Sequence, residues 1–348
     1  MILIIGAGLS GLLTGYHLKK QGIPFKILEA RHRVGGRINT VYGANNTPVE
    51  MGATWFTHQH KHLVSLLQEL QIAYFEQYID RNVFFQAANN AAIQTVEIPP
   101  QAPSFRISGG SMHLIDTLVK SLDANDILLN QTVKTIIDKN NTVQVISETI
   151  FEGDSVVLAI PPKLWGNKIE FQPELPDRVL NIAKQTHTWM EDSIKVALTY
   201  ATPFWQKENS PATLFSQSGP ITEFYDHCNH KRSKYALCGF INSSLKALPA
   251  SERKALVTEQ VKKIFGSKGE DFIGYEECVW SNETNTFEAS EVFPHQNNGN
   301  PIFSNPLLNG KVLISGSEAA SEFPGYMEGA ISSAYNIVKI IKERQLLD

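Results

Sequence analysis

The stretch Ile2-Leu3-Ile4-Ile5-Gly6-Ala7-Gly8-Leu9-Ser10-Gly11 decides the fold of this chain. Four consecutive apolar residues are typical of a strand buried on both faces of a parallel sheet. The glycines after them are typical of a strand-to-helix turn that binds a dinucleotide. The first allows a tight turn, the second lets the backbone approach a pyrophosphate, and the third lets helix and strand pack closely. Gly6, Gly8, Ser10 and Gly11 are therefore predicted cofactor residues.

The second strand is predicted over Phe25–Leu28 and ends on Glu29, eighteen residues after Gly11. A carboxylate at this place can accept a hydrogen bond from a ribose hydroxyl. Its charge would repel a ribose 2′-phosphate, which disfavours NADP. Ala30 and Arg31 follow directly and complete this part of the predicted cofactor site.

Two further motifs separate FAD from NAD. Arg33-Val34-Gly35-Gly36-Arg37 places paired glycines between two guanidiniums, which can pair with a pyrophosphate. By itself this spacing also fits a solvated basic turn. With Glu50-Met51-Gly52-Ala53-Thr54-Trp55 after it, the chain resembles the flavin-containing amine oxidase family. The resemblance implies FAD contacts at Gly35, Gly36, Arg37, Gly52, Ala53, Thr54 and Trp55.

The resemblance extends through most of the chain and implies an α/β fold: a Rossmann-type FAD-binding domain with an inserted mixed-sheet substrate domain. The FAD-binding domain is expected over residues 1–72, 106–176 and 276–348, and the substrate domain over 73–105 and 177–275. In the family, the position that matches Val133 meets the adenosine part of FAD through its backbone. The stretch from Tyr74 to Ser104 is polar and rich in proline, and it is expected to be irregular.

The closing motif, Ser315–Ala320 followed by Pro324–Ala330, resembles the family signature. By resemblance Glu318 lies near the ribitol, Met327 supplies a backbone amide and Tyr326 forms an aromatic wall before the flavin. A helix that begins at Met327 can direct its free amides at the flavin, where its dipole favours negative charge. The other interpretation makes Tyr326 a helix-cap aromatic in the core.

Lys195 lies in an alternating run in which Ile194, Val196 and Leu198 share the opposite face of a strand. By its pattern alone, Lys195 is a solvated strand residue. The segment resembles the family strand whose lysine holds a water near flavin N5, and the pair Phe204-Trp205 follows as it does in the family. Lys195 is therefore predicted to be an active-site residue.

Trp280 resembles the family tryptophan near the flavin and is the third predicted catalytic residue. Several residues later, monoamine oxidases carry a cysteine that bonds the flavin, with a tyrosine beside it. Here the stretch Phe287-Glu288-Ala289-Ser290-Glu291 contains no cysteine. FAD is therefore predicted to bind non-covalently, and the second tyrosine of the family's aromatic cage has no clear counterpart.

Composition limits the remaining possibilities. A chain of 348 residues suggests two domains, and a net charge of −4 without a long basic run gives no reason to expect nucleic acid. Three scattered cysteines indicate a reducing compartment, and no apolar run reaches the roughly 20 residues that span a bilayer. A cytoplasmic protein without membrane association is expected. His58, His60 and His62 suggest a metal site, but no third ligand is evident nearby, so a helix start is expected and no metal.

The predicted function is oxidation of an amine. Hydride leaves the carbon beside a neutral amine for flavin N5, water hydrolyses the imine, and dioxygen is converted to hydrogen peroxide. A related flavoprotein that acts on C–C bonds, a desaturase or isomerase, shares the FAD motifs. An FAD-binding protein without turnover is a third possibility. The sequence does not identify the amine, the physiological acceptor or the oligomeric state.

Overall fold

The computed structural model of the chain describes residues 1–88, 92–207, 210–289 and 291–345. In chain order its strands are β1 (Ile2–Ile5), β2 (Phe25–Leu28), β3 (Thr40–Gly43), β4 (Thr47–Glu50), β5 (Tyr74–Glu76), β6 (Asn82–Gln86), β7 (Gln94–Glu97), β8 (Phe105–Ile107), β9 (Ile127–Leu128), β10 (Thr135–Asp138), β11 (Val143–Ile146), β12 (Ile150–Gly153), β13 (Ser155–Leu158), β14 (Glu170–Gln172), β15 (Ile194–Tyr200), β16 (Leu214–Ser216), β17 (Ile221–Asp226), β18 (Tyr235–Ile241), β19 (Gly274–Val279) and β20 (Val312–Ile314). Its helices are α1 (Leu9–Lys20), α2 (Lys61–Glu69), α3 (Met112–Lys120), α4 (Pro162–Lys168), α5 (Asp177–Lys184), α6 (Phe204–Lys207), α7 (Ala250–Phe265), α8 (Ser267–Glu270) and α9 (Met327–Gln345).

A five-stranded parallel sheet in the order β20-β13-β1-β2-β9 forms the dinucleotide-binding core. Its central strand β1 is buried along its whole length, as its unbroken apolar sequence predicts. Apolar clusters cover both faces: α1, α2, α3 and α9 contribute to one, and the four-stranded sheet with α4 and α5 contributes to the other. Because all five strands run the same way, their carboxyl ends meet at one edge, where open α/β sheets bind ligands.

The second large sheet is mixed and has seven strands in the order β19-β15-β18-β17-β16-β6-β7. Its centre is the antiparallel ladder of β15 with β18 and β19. Helix α7 packs on this sheet through Val257 and Val261. Together with the parallel core, this sheet confirms the predicted fold class.

A smaller four-stranded sheet, β12-β11-β10-β14, packs on the second apolar face of the parallel sheet.

The domain ranges expected from the sequence remain a prediction. Strand β19 crosses the boundary placed before residue 276, because it begins at Gly274 and pairs with β15 in the seven-stranded sheet. None of the helices in the described ranges combines the length and apolar character needed to cross a bilayer.

The expectation that Tyr74 to Ser104 is irregular was wrong for part of that segment. Strand β5 pairs with β8, and β6 and β7 form the edge of the seven-stranded sheet. The physical reason is that β6 pairs with β16, which lies about 130 residues later in the chain. A short strand whose pairing depends on a distant partner has no distinct local pattern by which it can be recognised.

Candidate active site

One cavity of about 560 Å³ runs from the carboxyl edge of the parallel sheet to the face of the seven-stranded sheet. This volume is in the range of small-molecule and cofactor pockets. Every cofactor and catalytic residue predicted from the sequence lines it except Gly11. Gly11 lies directly beneath the first turn, where a Cβ would be 2.0 Å from the carbonyl oxygen of Gly6. Its absence from the cavity wall agrees with a packing role.

The two glycine motifs contact each other. The amide of Gly35 donates to the carbonyl oxygen of Ala7 at 2.8 Å, and Gly8 and Gly35 form a parallel bridge. Gly6 has a φ of +103°, and a Cβ on it would lie 2.6 Å from Cγ2 of Ile160. The turn therefore requires glycine both for its backbone conformation and for space.

Gly8 is different, because the nearest atom to an added Cβ is Cα of Gly36, at 4.0 Å. The protein itself would accommodate a side chain there. Gly8 faces the cavity at the amino end of α1, where free backbone amides and the helix dipole favour a phosphate. The packing of the protein does not require glycine at this position. A glycine beside the amino end of α1 would let a dinucleotide pyrophosphate approach the backbone closely.

The Glu29 carboxylate is 4% exposed and connects the end of β2 to the first turn. It accepts hydrogen bonds from the amide of Ala7 at 2.7 Å and from the amide of Arg31 at 3.0 Å. The Arg31 guanidinium donates to Glu283 at 3.1 Å and to Thr286 at 2.5 Å. This end of the cavity therefore joins the start of the chain to residues more than 250 positions later.

Arg37 and Glu318 form a bidentate ion pair inside the cavity wall, with nitrogen-to-oxygen distances of 2.6 and 2.8 Å. Glu318 also accepts from the amide of Trp189 at 3.2 Å. Burial alone would raise the pKa of the Glu318 carboxyl, but the Arg37 guanidinium and the hydrogen bonds from Ser317 and the Trp189 amide outweigh it and hold that pKa below its ordinary value. Arg37, which the sequence suggests as a pyrophosphate partner, is thus already paired with an acid.

Lys195 is 3% exposed, so the structure contradicts the solvated interpretation of this residue. Its ammonium donates to Oγ1 of Thr54 at 2.8 Å. The same nitrogen lies 4.5 Å from the ring centre of Trp55 and 4.9 Å from that of Phe240. Burial lowers the pKa of Lys195 below its ordinary value, although Cys238, Glu50 and Glu223 oppose the shift. A lysine in such surroundings is a candidate functional group.

The Tyr326 side chain is 39% exposed and lines the cavity, so it is not a core aromatic. Its ring centre lies 5.8 Å from that of Trp189, and the two ring planes are 32° apart. Trp189 is stacked on His295 at 4.2 Å. Gly325 makes room for this arrangement, because a Cβ there would be 2.6 Å from Cβ of Trp189.

The Trp280 side chain is buried, and its indole nitrogen donates to the carbonyl oxygen of Met51 at 2.7 Å. It thereby supports the Gly52 turn from behind while lining the cavity. Ser290, which belongs to the stretch Phe287–Glu291 that contains no cysteine, lies outside the described residues.

The three histidines surround the start of α2, which begins at Lys61. The Glu328 carboxylate accepts from the amides of His62 and Leu63 at 2.9 and 2.8 Å and so caps this helix. His60 contacts Tyr326 with 5.6 Å between ring centres. In the described part of the chain, no group of three histidine, cysteine or acidic residues is placed to hold a metal ion.

Several residues of the cavity wall were not predicted from the sequence. They include Gln77, Trp189, Met190, Glu223, Tyr225, Phe240 and Thr286. Trp189 lies in a loop without periodicity, and its neighbour Tyr326 is 137 residues later in the chain. The alternation of Glu223 and Tyr225 on one face of β17 was the one local pattern that could have indicated a wall residue.

Comparison with known proteins agrees with this geometry. The family described as flavin containing amine oxidoreductase matches residues 9–100 and 98–341. The chain is 24% identical to the "Probable flavin-containing monoamine oxidase A" of Dictyostelium discoideum, over 99% of this chain and 98% of that protein. It is 22% identical to the putrescine oxidase of Kocuria rosea, over 81% and 82%.

Two solved structures show the same fold. A putrescine oxidase bound to putrescine superimposes with a TM-score of 0.85, at 22% identity and over 98% of both chains. The cyclohexylamine oxidase of Brevibacterium oxydans superimposes with a TM-score of 0.84, at 18% identity, over 98% of this chain and 99% of the other.

Proposed function

Because the chain belongs to the flavin-containing amine oxidoreductase family, we propose that it binds FAD non-covalently and oxidises a small-molecule amine. It is a flavin-dependent oxidoreductase of the amine oxidase type. One observation carries the proposal: a single cavity joins the glycine turns at Gly6 and Gly35 to Lys195 and Tyr326. A cofactor held at the turns and a substrate held at the side chains would therefore share one continuous cavity.

The residues around the turns suit FAD. Gly8 and the amino end of α1 would receive the pyrophosphate, Glu29 the ribose, the backbone at Val133 the adenosine, Glu318 the ribitol, and the amide of Met327 the flavin. The non-covalent part of the proposal rests on the sequence after Trp280, which lacks a cysteine. When bound, the flavin would act as a two-electron acceptor that takes a hydride from the amine carbon and is reoxidised by dioxygen, which becomes hydrogen peroxide.

The chain's own polar groups would act at the reacting carbon. The Lys195 ammonium and the Thr54 hydroxyl are 2.8 Å apart and together could hold one water molecule. Burial lowers the pKa of Lys195, which makes its proton easier to share with that water. The amine loses a hydride from carbon and a proton from nitrogen, and water hydrolyses the resulting imine to an aldehyde and ammonia.

Tyr326 and Trp189 would form the apolar part of the substrate site. Their rings flank the same end of the cavity and would orient a neutral amine while keeping bulk water away. The Arg37–Glu318 pair fixes the backbone of Trp189 on both sides, because Arg37 donates to its carbonyl oxygen and Glu318 accepts from its amide. These two contacts therefore fix the position of Trp189 in the cavity wall.

Amines suit this cavity better than amino acids. The cavity-lining arginines Arg31 and Arg37 are both paired with acids, so neither is available for a substrate carboxylate.

The three cysteines are free thiols, which supports a reducing, cytoplasmic location as part of the proposal.

The test begins with the purified protein. It should be yellow and release intact FAD on acid denaturation, whereas flavin that stays with the precipitated chain would contradict non-covalent binding. An anaerobic panel of amines should then bleach the flavin, and the same amines should yield hydrogen peroxide in air. Bleaching by compounds that contain only C–C and C–H bonds at the reacting position, with no response to any amine, would favour a desaturase instead.

A further inference from the structure

Three carboxylates line the cavity, and they differ in their partners. Glu29 accepts from two backbone amides, and Glu318 is paired with Arg37. Glu223 accepts from the hydroxyl of Tyr225, at 2.5 Å from Oε2, and within the described ranges it has no ion-pair partner. Its Oε1 atom thus remains available to a ligand. The Glu223 carboxylate is half-buried, and Lys195 interacts with it only at long range, so a cation that enters the cavity could pair with it.

The register of the seven-stranded sheet places Glu223 in a row with Lys195. Lys195 on β15 lies opposite Phe240 on β18, and Phe240 lies opposite Glu223 on β17. Residues directly opposite each other point to the same face of a sheet. Neighbouring strands are about 4.8 Å apart, so the Cα atoms of Glu223 and Lys195 are about 10 Å apart.

The surface between these two polar residues is aromatic. Phe240 separates them on the sheet, and Trp55 covers the row, with its ring centre 6.1 Å from that of Phe240 and 5.3 Å from that of Tyr225. An alkyl chain would pack along this surface, and the faces of Trp55 and Tyr225 would favour a cation at its far end.

We propose that Glu223 binds a second ammonium group of the substrate, so that the enzyme prefers linear diamines and longer polyamines over monoamines. The proposal rests on the proposed function, because the first amino group reacts beside Lys195. That nitrogen reacts in its neutral form while the distal nitrogen stays charged and pairs with Oε1 of Glu223. The spacing of the row suits a short aliphatic chain between the two nitrogens.

Binding can be measured without turnover. The holoenzyme is reduced with dithionite under anaerobic conditions, which prevents amine oxidation, and titrated calorimetrically with 1,6-diaminohexane and with hexylamine. The diamine should bind at least about tenfold more tightly. Glu223→Gln should remove at least about tenfold of the diamine affinity and leave hexylamine within about twofold.

Two variants make this test specific. Glu276→Gln removes a carboxylate from β19 of the same sheet that does not line the cavity, and it should change neither affinity. Glu223→Asp withdraws the carboxylate by one methylene group and should shift the preferred diamine to a longer chain. Such a compensating shift is not expected if Glu223 only supports the fold.

Equal affinity of the two ligands for the unsubstituted protein would overturn the proposal, as would an equal loss of both in Glu223→Gln. Steady-state rates then separate this proposal from the proposed function. If neither ligand is oxidised in air, amine oxidation fails, whereas the binding comparison still decides the role of Glu223.

Discussion

The two halves of the cavity are built in different ways. On the cofactor side, backbone meets backbone: Gly11 lies against Gly6, Gly35 bonds to Ala7, and Gly52 lies so close to Arg37 that a Cβ would be 2.1 Å from its carbonyl oxygen. On the substrate side, side chains from separate segments form the wall, and the strands beneath them are held together by backbone pairing that does not involve those side chains.

This difference indicates which changes each half can tolerate. Backbone contacts cannot relax around an added atom, so the cofactor half should lose stability when a glycine is replaced. The side chains of the substrate half are not needed for the sheet itself, so their replacement should change reaction rates and specificity. The following predictions test that contrast, from the largest expected effect to the smallest.

Gly11→Ala should have the largest effect. The new Cβ would be 2.0 Å from the Gly6 carbonyl oxygen, so one of the two backbone segments would have to shift. We expect the free energy of unfolding to fall by at least about 3 kcal/mol, with loss of bound flavin. The measurement is denaturant unfolding together with the flavin-to-protein ratio.

Gly22→Ala is the matched control, because Gly22 has a φ of +70° but no atom within 4 Å of the new Cβ. It should lower the free energy of unfolding by only about 1 kcal/mol, which is the cost of a left-handed backbone conformation for a residue with a Cβ. Equal losses in the two variants would show that close packing does not govern the cofactor half.

Glu318→Gln should destabilise the protein by about 2–3 kcal/mol, because it leaves the Arg37 guanidinium without its buried anion. The pKa of Glu318 is lowered in the folded protein, so its contribution is present above the ordinary glutamate pKa and is lost as the pH falls through the lowered value. The difference in Tm between the two proteins should therefore decrease below about pH 4.

The exposed pair Arg81–Glu97 provides the control for this prediction. Glu97→Gln should change the free energy of unfolding by less than about 0.5 kcal/mol. A Glu318→Gln difference that stays constant down to pH 3 would mean that the ion pair is not its cause.

Gly8→Ala should separate cofactor binding from stability. The protein leaves 4.0 Å around the new Cβ, so unfolding of the flavin-free protein should change little. The Kd for FAD should rise about thirtyfold, or about 2 kcal/mol, because the methyl group would occupy the place of the pyrophosphate. Unchanged FAD affinity would remove Gly8 from the proposed cofactor site.

Lys195→Met should have the smallest effect on the fold and a selective effect on rate. Removal of the buried ammonium relieves its desolvation but takes a positive charge away from the buried Glu50 carboxyl, so the net change in stability should be small. One or both half-reactions should slow at least tenfold, which corresponds to about 1.4 kcal/mol in the barrier. Stopped-flow measurement resolves reduction by substrate from reaction with dioxygen.

Lys134→Met, at an exposed lysine, should leave both rates unchanged. If Lys195→Met also leaves both rates unchanged, Lys195 is not an active-site residue, and the contrast between the two halves loses its functional part.

The sequence by itself determined the cofactor half of this protein. The turns at Gly6 and Gly35 adopt positive φ, and their glycines follow from local backbone geometry, which nearby residues specify. Strand β1, helix α1 and strand β2 accordingly occupy the predicted places, and the family signature at Tyr326 and Met327 lines the same cavity.

Only the tertiary structure decided what faces the substrate. Trp189 meets Tyr326 because Gly325 leaves space for it and because Arg37 and Glu318 hold its backbone. Glu223 reaches the row of Lys195 through the register of three strands, of which the outer two are separated in sequence by about 30 residues. Pairing between strands depends on long-range hydrogen bonds and side-chain packing, and short windows of sequence contain neither.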